Sequence, residues 1–169
     1  MAQQAVDVVV ARLRRHTDRC LTDQVSLLET VHPVSMDRWR EVTQRIDPDL
    51  LARLLVRYGA GTFRILHLVS EEPSLLQPVC PHHEDTRVEL VHALRHEWAC
   101  TITDVLARRT RIAWSSCQGL DALSTVGDVF ERYAALTRPQ VERQVDAYHQ
   151  FLAATLAFRR GRTPSQLVS

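Results

Sequence analysis

The sequence predicts an all-α protein, an orthogonal bundle of about seven helices with no sheet of significance. Three observations predict it. Apolar residues recur at three- and four-residue spacing in segment after segment, which is the signature of one buried helical face. Asp-Pro, Thr-x-x-Asp and isolated glycines fall where helices start and stop. No alternating run of convincing length survives to make strands, and none alternates with the helices.

Taken in order, Val6, Val9, Val10 and Leu13 repeat at helical spacing, so residues 2 to 15 read as an amphipathic helix in spite of the strand-like VVV. From His16 to Ile46 periodicity is poor and Pro33 interrupts it, giving a long connector with a short helix around Met36 to Gln44. Asp47-Pro48 supplies an N-cap and a first-turn proline. Leu51, Leu54, Leu55 and Tyr58 then form one stripe, which Gly59 ends. After Gly61 a second helix, Phe63 to Val69, runs into the proline-punctuated loop that reaches Pro81.

Leu90, Val91, Leu94 and Trp98 mark a helix from about Asp85 that breaks near Ala99. Thr101 opens the next, because Thr101-Ile102-Thr103-Asp104 has the capping-box layout with aspartate in place of glutamate. Leu120 to Leu136 reads as helical, weakened by Gly127, and Val141, Val145, Tyr148, Leu152 and Leu156 mark a long last helix entered through Thr137 to Pro139. The chain thus divides into a lead-in helix and connector (1–46), a helical domain (47–158) and a flexible tail (159–169).

Composition excludes several functions. The chain has 169 residues, enough to bury roughly two-thirds of its unfolded surface. Its net charge of +1 gives no electrostatic case for nucleic acid or an anionic membrane. All 21 basic residues are arginine, so no Schiff-base lysine, P-loop lysine or lysine general base exists. Cys20, Cys80, Cys100 and Cys117 lie apart with no C-x-x-C, which points to reduced thiols in a cytoplasmic protein. The apolar runs are too short for a transmembrane segment or a secretory signal.

Candidate chemistry is sparse. Gly59 and Gly61 lack the third glycine and the preceding strand of a dinucleotide fingerprint, so no cofactor-binding residue is expected. His92 and His96 share a helical face, and Cys80, His82, His83 and Glu84 crowd the loop before it, but their order fits no zinc signature and no metal is expected. Cys100 beside Trp98 has the character of a small hydrophobe rather than a nucleophile, and no catalytic residue stands out.

The segment RHEWACTITDVLARRTR is the informative one. Asp104 and Arg108 form an i,i+4 pair in the favourable order. With 3.6 residues per turn Arg109 shares the stripe of Ile102, Val105, Leu106 and Ile112, which aims its guanidinium at the core or at another domain. Three readings stand: an inter-helix ion pair with Glu97, a stem reaching back to solvent, or a ligand-binding arginine. A buried pair with Glu97 is the expectation. Two helices joined by the Glu97–Thr101 turn, the second bearing Arg108, Arg109 and Arg111, also leave a helix-turn-helix nucleic-acid module or a stand-alone interaction module as the rival class.

RHEWACTITDVLARRTRIAW resembles the C-terminal helical domain of the aerobic, FAD-dependent glycerol-3-phosphate dehydrogenases and alpha-glycerophosphate oxidases, where a Glu, a Thr-x-x-Asp turn and Asp-Val-Leu-x-Arg-Arg-Thr recur. RYGAGTFRILHLV, from Arg57, looks like the family's Tyr-Gly helix corner, and VERQVDAYHQFL resembles its final helix more weakly. AVDVVVARL looks like the end of the flavin domain, while residues 16 to 46 lack the family's glycine-rich turn. The resemblance implies a non-catalytic cap whose Glu97, Asp104, Arg108, Arg109 and Thr110 match the family's motif as structural or interdomain residues. It implies that FAD and glycerol 3-phosphate are bound by a preceding domain, which is this chain's partner, with no nucleic acid involved. It further implies a parent enzyme peripheral on the inner membrane face, and a homo-oligomer is compatible with it.

Overall fold

The computed structural model describes residues 2–16, 20, 21, 24 and 39–157. The expected tail, 159–169, and the stretch holding Pro33 and Met36 lie outside the described residues. Among those described, seven α-helices and no strand are present. They are α1 (Ala2–Arg12), α2 (Arg40–Thr43), α3 (Pro48–Tyr58), α4 (Thr62–Glu71), α5 (Arg87–His96), α6 (Leu123–Tyr133) and α7 (Arg138–Thr155).

Local chemistry explains the boundaries. The Asp47 carboxylate accepts from the Asp49 and Leu50 N–H groups at 3.0 and 3.1 Å, and Pro48 occupies the first turn, where its missing N–H costs nothing. At the far end of α3 Gly59 turns with φ 52°, a conformation open to glycine, and leads through Gly61 directly into α4. α5 starts at Arg87 rather than Asp85 because Thr86 and Glu89 form a reciprocal capping box. The entry of α7 repeats that device with Thr137 and Gln140.

α5 is the central rod: Val88 to Ala93 are all buried, and it packs against α4, α6 and the segment after residue 100. α6 in turn packs on α7, where Val141, Tyr148 and Leu152 close the core. Each fully buried apolar side chain in this core contributes roughly 1.5–3 kcal/mol. α1 differs from the rest, since it buries no residue and leaves Val6, Val8, Val9 and Leu13 more than half exposed.

Three helix ends close through a non-glycine residue in the left-handed region, the first at Arg14, φ 50°, after α1. After α5, Trp98 sits at φ 56° and the Ala99 N–H reaches back to the Ala93 carbonyl at 3.2 Å. After α6, Ala135 at φ 54° lets the Leu136 N–H reach the Phe130 carbonyl at 3.3 Å. Trp98 is 89% exposed, so this strained tryptophan buries almost nothing in the chain.

The helix expected from Thr101 has a different winding. Asp104–Arg109 is a π turn, and the Thr110 N–H bonds to the Val105 carbonyl, five residues back, at 2.8 Å. Gly119, at φ 73°, then brings the chain into the 3-10 turn Leu120–Ala122 that feeds α6. A Cβ at Gly119 would stand 3.0 Å from the Tyr148 hydroxyl and 3.2 Å from Ile112, so this corner is both left-handed and tightly enclosed.

Candidate functional site

Glu89, in the first turn of α5, is the hub of the polar interior. Its carboxylate is wholly buried and receives a two-pronged fork from Arg53 of α3, at 2.9 and 2.8 Å. Arg57, one turn further along α3, donates at 3.1 Å, the Tyr58 hydroxyl at 3.2 Å and the Thr86 N–H at 2.8 Å. Burial raises the Glu89 carboxyl, but the Arg53 fork, the Thr86 N–H and Arg57 outweigh it and hold it below the usual carboxylate range. Burial beside that carboxylate pushes the Tyr58 hydroxyl far above its ordinary value. A buried carboxylate so surrounded is satisfied and fixed in place.

Against this hub opens a cleft of about 680 Å³ whose walls are α3, the loop before α5 and the π turn. Arg53, Arg57, Arg108, Arg109 and Arg111 line it, with Asp85 and Glu84 on the loop side. Arg57 ties the walls together: it donates to Asp85 at 2.6 Å and to the Arg109 carbonyl. Arg111 is exposed there and makes no ion pair among the described residues. Five guanidiniums around one opening form a surface suited to carboxylates or phosphates.

The residues expected from the sequence gather on one edge of this cleft. Thr101 and Asp104 cap one another: the Asp104 N–H donates to the Thr101 hydroxyl at 3.0 Å, and the Asp104 carboxylate accepts from the Thr101 and Cys100 N–H groups at 2.9 and 3.1 Å. Arg108 pairs with Asp104 one turn away. Thr110 is buried and donates to the Val105 carbonyl at 2.8 Å, sealing the π turn.

Arg109 departs from the expectation of a buried fork to Glu97. Its Nε donates to the Glu97 backbone carbonyl at 2.8 Å, and the Glu97 carboxylate stands 4.0 Å off. The two side chains are 39% and 29% exposed. Burial raises the Glu97 carboxyl, and Arg109 and Arg57 do not fully offset that. The physical reason lies in the winding: a π turn adds a residue to the repeat, so the inward position that 3.6 residues per turn gave to Arg109 falls to Thr110. The π turn thus holds Arg108 on the Asp104 carboxylate and the Arg109 Nε on the Glu97 carbonyl.

His92 and His96 lie side by side on α5, their ring centroids 5.1 Å apart. His92 is buried against the edge of the Tyr58 ring, 5.1 Å between centroids, and burial, helped by His96 and Arg64, lowers its pKa to about 4. Its Nε2 lies 3.8 Å from the Glu97 carboxylate.

Among the described residues the close glycine pair does not form a flavin cradle. Gly59 and Gly61 form a corner between two helices, with the Gly59 N–H bonded to Leu55 and no strand among the described residues to launch a phosphate-cradling turn. No helix among them is long and apolar enough to cross a membrane.

Comparison with known proteins places these features in a larger context. The family model described as the C-terminal domain of alpha-glycerophosphate oxidase matches residues 20–141. The glycerol-3-phosphate dehydrogenase of Synechocystis sp. is 28% identical over 156 residues, 90% of this chain and 28% of the relative. The glycerol-3-phosphate dehydrogenase 2 of Mycobacterium tuberculosis is 29% identical over 152 residues, 88% of this chain and 26% of the relative. The glycerol-3-phosphate dehydrogenase of Mycobacterium leprae is 29% identical over 153 residues, with the same coverage of 88% and 26%. The chain therefore spans about a quarter of the length of the curated relatives it matches. No solved structure matches it.

Proposed function

The chain belongs to the family of the C-terminal domain of alpha-glycerophosphate oxidase, and from that premise we propose that it works as the helical, non-catalytic domain of an FAD-dependent glycerol-3-phosphate dehydrogenase. The observation that carries the reading is the coverage: nearly all of this chain aligns, and only about a quarter of each relative is accounted for. The remaining portion of such an enzyme holds the flavin and oxidises glycerol 3-phosphate to dihydroxyacetone phosphate. A hydride passes to FAD, and the electrons go on to quinone at the inner face of the membrane. The protein is cytoplasmic in this reading, peripheral where it meets the membrane.

Residues 47–158 form the cap and residues 1–46 lead into it from the flavin domain. Two surfaces support docking on that domain. α1 and Leu13 just after it expose an apolar row, Val6, Val9 and Leu13, that the other described residues leave uncovered. The arginine cleft offers Arg109 and Arg111 to carboxylates across an interface, while Asp104 and Thr110 hold the turn that carries them.

The test is purification of the chain alone and with its partner. Alone it is expected to be colourless and to show no glycerol-3-phosphate oxidation with added FAD; yellow protein with stoichiometric flavin overturns the non-catalytic reading. Mixed with the flavin domain of a family member lacking its own helical domain, it is expected to co-elute on gel filtration, and separate elution at micromolar concentration counts against the docking role.

A further inference from the structure

Cys80, His83 and Cys117 come together on the flank of the cleft, and nothing in the proposed function uses them. One donor atom from each lies within 4.8 Å of the other two, with Cys80 buried and His83 and Cys117 half-buried. In a tetrahedral zinc site, donors at ordinary Zn–S and Zn–N distances stand roughly 3.5–3.8 Å apart, so a contraction of about 1 Å or less would close these three around an ion.

Both loops that supply them are already pinned. The Cys80–His83 loop is closed by the Val79 N–H on the Asp85 carbonyl at 2.9 Å and the Arg87 N–H on the Gln77 carbonyl at 3.0 Å. Cys117 sits in a turn held by the Gln118 N–H on the Ser115 carbonyl at 3.1 Å, and the Tyr148 hydroxyl clamps the same turn through the Gln118 carbonyl at 2.6 Å. A preset donor arrangement loses little chain freedom on binding.

The second observation is the state of His83. Its Nε2 is buried without a hydrogen-bond partner, while its Nδ1 faces the Asp85 carboxylate at 3.9 Å. Asp85 is in turn held by Arg57 at 2.6 Å. The Asp85 carboxylate is too far for a hydrogen bond to Nδ1, so what the geometry supplies is a buried ring nitrogen, Nε2, left without a partner beside two thiols.

We propose that Cys80, His83 and Cys117 bind one zinc-class divalent ion through two thiolates and the His83 Nε2, with the fourth position open to water or to Asp121. Asp121 and His82 stand 3.2 Å apart on the exposed side. Two thiolates cancel the charge of the ion, so the complex is neutral and the neighbouring arginines do not oppose it. Thiolate and imidazole donors favour zinc over magnesium or calcium. The ion would join the loop before α5 to the turn before α6 and, through Asp85 and Arg57, brace the wall of the cleft.

The test uses the reduced 169-residue chain, stripped of metal and titrated with zinc and, separately, with cobalt(II). One equivalent of either is expected to bind, cobalt giving tetrahedral visible bands and a near-ultraviolet thiolate charge-transfer band of two-thiolate intensity. Cys80→Ser, Cys117→Ser and His83→Ala should each weaken binding by about tenfold or more, whereas Cys100→Ser, an exposed thiol elsewhere, should leave it unchanged. The cobalt spectrum of the unmutated chain keeps the test decisive if a variant fails to fold. Absence of the charge-transfer band in that chain, or its persistence in both serine variants, overturns the site; so does ready closure of a Cys80–Cys117 disulfide that saturating zinc does not slow.

Discussion

At the residue scale the interior rests on Glu89, and its substitution should be the most damaging conservative change. Glu89→Gln breaks the fork to Arg53 and leaves Arg57 on Asp85; a broken buried pair costs about 3–5 kcal/mol, and the low end, about 3 kcal/mol, is expected because Arg57 keeps that partner and both guanidiniums remain about one-quarter exposed. Urea unfolding at neutral pH measures it, and a loss under about 1 kcal/mol would show that Glu89 is not the hub. His92 sets an acid limit. Its folded pKa of about 4 lies below the ordinary value near 6.5, so its contribution is complete above about pH 6.5 and is lost as pH falls toward 4, amounting to about 3 kcal/mol at most. Glu89, also depressed, adds its own loss below about pH 4.3. The urea midpoint should therefore drop between pH 7 and 4.5, and His92→Phe should flatten that drop. The Glu97 and Arg109 carboxylate contact is loose and half exposed, so a double-mutant cycle should give a coupling below about 0.5 kcal/mol; a coupling above about 2 kcal/mol would restore the buried pair. Sequence could not reveal the Arg53–Glu89 fork, whose partners lie 36 residues apart. It did carry the local cue, Thr86-x-x-Glu89, but an acid in a first helical turn reads as solvated until its surroundings are known.

At the element scale, helices that end in strong chemistry were legible and those that depart from ideal winding were not. Asp47-Pro48, the Gly59 stop and the Thr101-to-Asp104 cap all appear where their residue types require. The π turn did not, because a hydrophobic stripe is read at 3.6 residues per turn and a single widened turn leaves no mark in composition. That one shift exchanged the roles of Arg109 and Thr110. The turn is enclosed by the Gly119 corner, so Gly119→Ala should cost about 1–3 kcal/mol: the added methyl meets Tyr148, Ile112 and Leu106 at 3.0 to 3.3 Å in a backbone conformation that alanine disfavours. Thermal and urea melts check it, and a loss under about 0.5 kcal/mol would mean the corner relaxes freely. The cluster of Cys80, His83 and Cys117 was not legible for a similar reason, since Cys117 has no spacing relation to Cys80 and only the packing of two loops brings them near.

At the scale of the whole molecule, the bundle was readable because each helix declares its own apolar face, whereas the exposure of α1 and the opening of the arginine cleft depend on how distant segments pack, which no local pattern reports. Trp98, at the end of α5 and outside the lining of that cleft, is a further exposed apolar side chain that can serve as a signal. An indole 89% exposed to water emits at long wavelength and is readily quenched by iodide, and the turn that holds it, φ 56°, keeps it there. Trp39 and Trp114 are more sheltered and supply a steadier background. A flavin domain that covers the end of α5 should shift the emission to the blue, lower the iodide quenching constant and, with an oxidised isoalloxazine nearby, drain intensity by energy transfer. Trp98→Phe should abolish the shift while leaving co-elution intact, so the strained corner provides an optical read-out of assembly without any attached dye.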